Sequence, residues 1–256
     1  MDQVVTMAFG DIEWARSGGG RLSRGERIGQ IWEVVRLRIT PRLRAKPQTF
    51  GARCPEEIDR MMTEVERPTS DLVERAASLV TRLGPDALTG HALRTFAWGA
   101  LLGMRDGLSW DHEAFALAAL LHDLALARRT HQVSCFAADG ALQASALLEE
   151  WGAPEELRWR VGDAICLHVR ARVPPNLGVE AHLVHGGAGV DVIGSGLSGI
   201  DPELRKRVLA RHPRGELKAF LADVFAREAR EHPKSRMGLW VSFGFTDRIL
   251  QAPFSS

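Results

Sequence analysis

Apolar residues recur at helical spacing along most of the chain, and no stretch alternates apolar and polar positions for long. From Thr69 onward, one amphipathic segment follows another, with glycines, prolines and polar capping residues between them. This pattern predicts an all-α fold. It predicts helices over about residues 71–83, 91–103, 111–128, 138–151, 154–170, 179–192, 202–211, 215–231 and 240–254.

The first part of the chain has a different pattern. One amphipathic helix is predicted there, because five apolar residues share a helix face among arginines: Ile28, Ile31, Trp32, Val35 and Ile39. Prolines at 41, 47 and 55 predict an irregular strap from Thr40 to Pro55. We therefore predict an N-terminal extension over residues 1–68 and a helical domain over residues 69–256.

Composition narrows the classes of partner. The 256 residues include 33 basic and 32 acidic ones, so no net charge favours a nucleic acid or a membrane surface as partner. Three widely spaced cysteines predict a reducing compartment, the cytoplasm, and we find neither a signal peptide nor a membrane-spanning run. A small-molecule substrate is expected, and a homo-oligomer remains open.

One polar pair interrupts the most apolar segment. Residues 114–128 are apolar nearly all round except for His122 and Asp123 and the closing Arg128. A helix without a polar face is buried, and burying an imidazole beside a carboxylate is costly unless something pairs with them. A bound cation would offset this cost, so the pair predicts half of a metal site.

Other possible ligands lie in apolar surroundings elsewhere. They are His91, His168, His182, His185 and Asp191. Nitrogen and oxygen donors of this kind suit divalent zinc or iron. Arg94 shares a helix face with His91, and the small residues at 186–189 predict that a neighbouring helix or a ligand approaches closely there.

The order of His91, His122-Asp123 and a distant Asp191 in a helical chain resembles the HD-domain metal-dependent phosphohydrolase superfamily. Finer features resemble its cyanamide hydratase subfamily. They are Gly90-His91-Ala-Leu-Arg94, Cys135-Phe136-Ala-Ala-Asp139-Gly140, Ala164-Ile-Cys-Leu-His168, Leu183-Val-His185-Gly-Gly-Ala-Gly-Val-Asp191 and Ala252-Pro-Phe254. The similarity runs from about Asp71 to the C-terminus. Residues 135, 137 and 138 depart from the more charged residues of that subfamily, which bears on the substrate.

The resemblance implies that one divalent ion, zinc or alternatively iron, is held by His91, His122, Asp123 and Asp191. It also implies that Asp123, His168 and Arg94 are catalytic, and that Phe136, Asp139 and His185 line the substrate pocket. The ion would lower the pKa of a bound water, so that hydroxide exists near neutral pH. With cyanamide as substrate, hydroxide would attack the nitrile carbon and give urea, Asp123 holding the water's proton and His168 delivering one to nitrogen.

Three alternatives stay open. The first is an HD-type phosphohydrolase acting on a nucleotide or small phosphomonoester, which needs basic residues around its pocket; several arginines are available, but no lysine lies between Lys46 and Lys206. The second is a dinuclear iron oxygenase, with His168 and His182 or His185 as further ligands. The third is a helical interaction module whose arginine-rich first helix binds an acidic partner, which leaves the His122-Asp123 pair unexplained.

Overall fold

The structure, a computed structural model, describes residues 9–39, 50, 54–66, 68–128 and 135–254. Its α-helices are α1 (Ile12–Gly18), α2 (Arg24–Ile39), α3 (Pro55–Glu64), α4 (Asp71–Leu83), α5 (Asp86–Arg105), α6 (His112–Leu121), α7 (Leu124–Arg128), α8 (Phe136–Glu150), α9 (Glu155–Leu167), α10 (Val179–Ile193), α11 (Pro202–Arg211), α12 (Leu217–Glu231), α13 (Arg236–Ser242) and α14 (Phe245–Leu250). Short 3-10 helices cover Pro175–Leu177 and Leu197–Gly199.

The predicted all-α class is confirmed. Within the described ranges there is no β-strand, and a single isolated bridge joins Phe50 to Ile200. No helix in that part of the chain is long and apolar enough to cross a membrane. Cellular location and oligomeric state stay predictions.

The centre of the fold is the crossing of α5 and α10. The two helices run antiparallel and touch at glycines. A Cβ added at Gly99 would lie 2.6 Å from the Leu183 carbonyl oxygen, and one added at Gly187 would clash with the Thr95 carbonyl oxygen. The predicted close approach at residues 186–189 is thus a helix contact, and it brings His91 of α5 beside Asp191 of α10.

Helix α6 lies within the core, with every residue from Ala114 to Leu121 buried. Asp111 caps its start by accepting a hydrogen bond from the Ala114 N–H at 3.0 Å. The helix ends at Leu121, so His122 and Asp123 occupy the turn before α7, whereas the sequence predicted them inside a helix. The His122 Nδ1 atom lies 2.8 Å from the Ala119 carbonyl oxygen, in the last turn of α6.

Other predicted boundaries need correction. Helices α1 and α3 were not predicted. The predicted final helix, residues 240–254, is instead the pair α13 and α14, because Gly244 adopts a positive φ of 76° between them. Most of the predicted strap, residues 40–49 and 51–53, lies outside the described residues. The third alternative relies on the basic side chains of the arginine-rich helix, and those that follow Arg36 also lie outside the described part. The division at residue 68 stays a prediction.

The Asp163 carboxyl links α9 to the N-terminal helix by accepting a hydrogen bond from the Ile12 N–H at 2.9 Å. Burial raises the pKa of Asp163 to about 6, although the Ile12 N–H opposes the rise. The folded protein therefore binds this proton more tightly than the unfolded chain. Stability from this group is present at low pH and is lost as the pH rises from about 4 through about 6.

Replacing Asp163 by asparagine should remove this pH dependence, because an amide keeps the acceptor oxygen without the charge. We expect the free energy of unfolding of Asp163→Asn, relative to the original protein, to rise by about 2–3 kcal/mol between pH 4 and pH 7. Urea denaturation at several pH values measures this difference, with Asp223→Asn at an exposed carboxyl as control. A difference that does not change with pH would contradict the prediction.

Candidate metal centre

Three buried side chains meet where α5 faces the turn between α6 and α7. The Nε2 atoms of His91 and His122 are 3.1 Å apart, and Asp123 Oδ2 lies 3.5 Å from the first and 3.4 Å from the second. Ligands about 2.0–2.1 Å from a tetrahedral zinc ion lie about 3.3–3.4 Å from one another. The triad of His91, His122 and Asp123 is therefore spaced like three ligands of one ion.

Hydrogen bonding determines which histidine nitrogens carry lone pairs. The His122 Nδ1 atom lies against a backbone carbonyl, which only accepts, so the proton is on Nδ1 and Nε2 keeps its lone pair. The His91 Nδ1 atom donates to Asp191 Oδ2 at 2.8 Å, with the same result. The same Nδ1-to-carbonyl bond recurs in three further histidines: His168 to Ile165, His182 to Val173 and His185 to His168.

These tautomers make the triad a good fit for a cation. Two lone pairs face each other across 3.1 Å beside a carboxylate, an arrangement that repels unless positive charge lies between them. A proton is a poor source of that charge, because burial lowers the pKa of His122, more than the neighbouring Asp123 raises it. A divalent ion would accept all three donors and balance the carboxylate.

Asp191 lies behind His91, on the side of the ring opposite the Nε2 atom. Its two oxygens accept hydrogen bonds from His91, from Arg94 at 2.8 and 3.0 Å, from Trp98 Nε1 at 3.1 Å and from Arg214 at 2.8 Å. Burial alone would raise the pKa of Asp191, but His91 and Arg94 outweigh it and hold the pKa well below its usual range. The geometry thus gives Asp191 a supporting position, and its direct coordination stays a prediction.

Arg94 is fully buried and its guanidinium is occupied. Besides Asp191, it donates to the carbonyl oxygens of His212 at 2.9 Å and Pro213 at 2.8 Å. It does not line the cavity, so the structure does not bring Arg94 to a substrate as predicted. It holds Asp191, which in turn orients His91.

Sequence reasoning missed two further members of this network, Trp98 and Arg214. Trp98 follows Arg94 by four residues on the same face of α5, a spacing that would have identified it. Arg214 sits in the loop between α11 and α12, where no periodicity points to its partner.

The triad opens into a cavity of about 1040 Å³. Among the predicted pocket residues, Phe136, His168 and His185 line it. Asp139 does not: it is buried on α8, and its Oδ2 accepts a hydrogen bond from Gln143 at 2.8 Å. Trp240 and Phe245 of the aromatic C-terminal segment also line the cavity, with His182 and several arginines.

His168 lies beside the triad, with its ring 5.0 Å from that of His122. Its Nε2 atom lies 4.0 Å from Asp123 Oδ1, so the two carboxylate oxygens face different partners. Burial, followed by the nearby His122, holds the pKa of His168 well below its usual value. The ring is therefore neutral at neutral pH and presents a lone pair to the cavity.

No protein-family model matches this chain, and no curated protein matches it either. Membership of the HD-domain superfamily therefore stays a prediction from the sequence. The metal centre is supported by its own geometry.

The two aspartates should differ in their effect on metal binding. Asp123→Asn removes a charged donor of the triad and should abolish tight zinc binding. Asp191→Asn should weaken it only about 10- to 100-fold, as expected when a ligand loses its orienting partner. Competition with a zinc chelator measures both, and Asp139→Asn, a buried carboxylate outside the cavity, is the control. Complete loss of zinc in a folded Asp191→Asn protein would show direct coordination instead.

Proposed function

We propose that this protein is a metal-dependent hydratase that adds water to a small electrophilic substrate, a nitrile such as cyanamide, to give a urea-type amide. The observation that supports this best is the triad: two imidazole lone pairs and a carboxylate oxygen, 3.1 to 3.5 Å apart, at one end of a cavity. The order of these residues in the chain, and its resemblance to the cyanamide hydratase subfamily, select the nitrile.

The roles of the residues follow from their contacts. His91 Nε2, His122 Nε2 and Asp123 Oδ2 would hold one divalent ion, zinc or alternatively iron. When bound, such an ion lowers the pKa of a coordinated water to near neutrality and so supplies a nucleophile. Asp191 and Arg94 keep the His91 ring in the orientation that directs Nε2 into the site.

Hydration of a nitrile breaks no bond to a leaving group. A carbon–oxygen bond forms, one pair of electrons of the carbon–nitrogen triple bond moves to nitrogen, and nitrogen takes up the proton that the water gives up. The imidic acid formed in this way becomes the amide when its remaining hydroxyl proton also moves to nitrogen. Asp123 Oδ1 and His168 Nε2 are 4.0 Å apart, and the proton given up by the water would move between them. The neutral His168 ring accepts the proton at Nε2 and returns it to the substrate nitrogen.

The direct test uses His122→Ala. The zinc-loaded protein should convert cyanamide to urea, and the variant should lose bound metal and more than about 100-fold of the rate, because a metal ligand is gone. Circular dichroism checks that the variant is still helical, and His112→Ala, at an exposed histidine, is the control. Full activity in a metal-free His122→Ala protein would refute the proposal.

Substrate choice is tested with the same preparation. Small nitriles and nucleoside monophosphates are compared under identical metal loading. Phosphate release without nitrile hydration would replace the hydratase by the phosphohydrolase, since a metal-activated water serves both reactions.

One observation favours a second candidate, the dinuclear iron oxygenase. Asp123 Oδ1 points towards His168 Nε2, and the Nε2 lone pairs of His182 and His185 belong to side chains lining the same cavity. A carboxylate that bridges two ions presents its oxygens in this way.

Metal analysis separates the two candidates. The hydratase should contain about one equivalent of metal per chain, unchanged in His168→Ala, because His168 then carries protons only. Two equivalents of iron, with one lost in His168→Ala, would favour the oxygenase. Plasma emission spectrometry of protein purified from iron- and zinc-supplemented cells gives both numbers.

A further inference from the structure

Aromatic rings follow one another from the candidate metal centre into the cavity. The His122 and His168 rings are 5.0 Å apart, and His168 is 5.8 Å from Phe136. The series continues from Phe136 to Phe225 at 5.6 Å, from Phe225 to Phe245 at 6.0 Å and from Phe245 to Trp240 at 5.9 Å. We call the last four residues, all of which line the cavity, the aromatic wall: Phe136, Phe225, Phe245 and Trp240.

Two cations lie where the cavity meets solvent. Arg248 follows Phe245 by three residues on α14 and so projects from the same side, and Arg172 lies in the segment after α9. Both side chains are exposed and line the cavity, and neither makes an ion pair or hydrogen bond with a residue that the structure describes. The other two arginines that line the cavity have partners: Arg105 is paired with Asp106 at 2.7 and 2.8 Å, and Arg170 donates a hydrogen bond to the Phe9 carbonyl oxygen at 2.9 Å.

Negative charge in the cavity is confined to the metal centre. Among the described residues that line it, Asp123 is the sole carboxylate, and the triad uses it. The solvent-exposed part of the cavity, where Arg172 and Arg248 lie, thus offers unpaired guanidinium groups to an anion.

The cavity is also large for cyanamide. Its volume of about 1040 Å³ lies at the upper limit for pockets that hold drug-sized ligands, about 300–1,000 Å³. A molecule of one carbon and two nitrogens would fill only a small part of it.

We propose that the physiological substrate is an elongated anion that carries its nitrile at one end, cyanamide being the smallest molecule that presents the same reactive group to the metal centre. Its reactive group lies at the metal centre, its apolar or aromatic body lies along the aromatic wall, and its carboxylate or phosphate end is bound by Arg172 or Arg248. The inference rests on the proposed function only for placing the reactive group at the metal. Planar bodies suit the wall because ring faces and edges attract one another, and a guanidinium binds an oxyanion through charge-assisted hydrogen bonds.

The test uses matched probes on the zinc-loaded, full-length protein. The probes are 4-cyanobenzoate and 4′-cyanobiphenyl-4-carboxylate, each paired with its uncharged primary amide, which has nearly the same shape. Isothermal titration calorimetry should show that at least one carboxylate binds about tenfold more tightly than its amide. The double variant Arg172→Gln/Arg248→Gln should reduce this ratio to about one, since it removes the two unpaired cations.

Control variants distinguish the contribution of charge to probe binding from the contribution of apolar contact. Arg105→Gln should leave the ratio unchanged, because Asp106 already neutralises Arg105. Phe245→Leu should weaken the biphenyl carboxylate and its amide alike, because it changes apolar contact only.

Equal affinities of carboxylates and amides for the original protein would overturn the inference, and so would a preference that survives the double substitution. Failure of the inference is distinguishable from failure of the proposed function. Charge-dependent binding without hydration of any nitrile supports the inference and contradicts the hydratase. Cyanamide hydration without charge preference supports the hydratase and overturns the inference.

Discussion

The arrangement of the site depends on the partners that stabilise the fully buried carboxylate of Asp191. A charge taken out of water is costly unless paired, and here the compensation comes from Arg94, Arg214 and the His91 ring. The carboxylate belongs to α10, and its partners come from α5 and from the loop after α11. It therefore links three parts of the fold. The same bonds set the orientation of the one histidine that α5 contributes to the triad.

Short hydrogen bonds between two helices require closely spaced backbones. The antiparallel crossing of α5 and α10 meets this requirement at Gly99 and Gly187, where a Cβ would meet a backbone carbonyl of the other helix. Glycine costs helix propensity at each position, about 1 kcal/mol relative to alanine. That cost is offset by the contact itself, which places Asp191 within 2.8 Å of His91.

The elements and part of the site could be predicted from the sequence. Capping residues and periodicity predicted α4, α10 and α11 nearly to the residue, and the energetic anomaly of His122 and Asp123 in an apolar segment predicted a site that the structure completes with His91. These predictions succeed because each rests on local pattern or on burial.

What could not be predicted depends on tertiary contacts. The ligand prediction treated Asp191 as equivalent to Asp123, but only the neighbours of each carboxylate distinguish them: donors surround Asp191, whereas Asp123 faces two lone pairs. Asp139 shares a motif with Phe136, yet helix geometry turns one away from the cavity and the other into it. The orientation of the His122 ring at the end of α6 involves a side-chain bond to the Ala119 carbonyl oxygen, which the sequence pattern does not indicate.

The histidines around the cavity share one hydrogen-bonding pattern: Nδ1 donates to a carbonyl or carboxylate oxygen, and Nε2 keeps a lone pair. For His168 this lone pair has two possible uses that exclude each other, because a nitrogen coordinated to a metal cannot also carry a proton. Asp123 is affected in the same way, since Oδ1 either guides a proton to His168 or bridges to a second ion beside it. The two proposed functions, hydration with one ion and oxygen chemistry with two, therefore use the same geometry. The two proposals differ in what Asp123 Oδ1 and His168 Nε2 bind, a proton in the first and a second metal ion in the other.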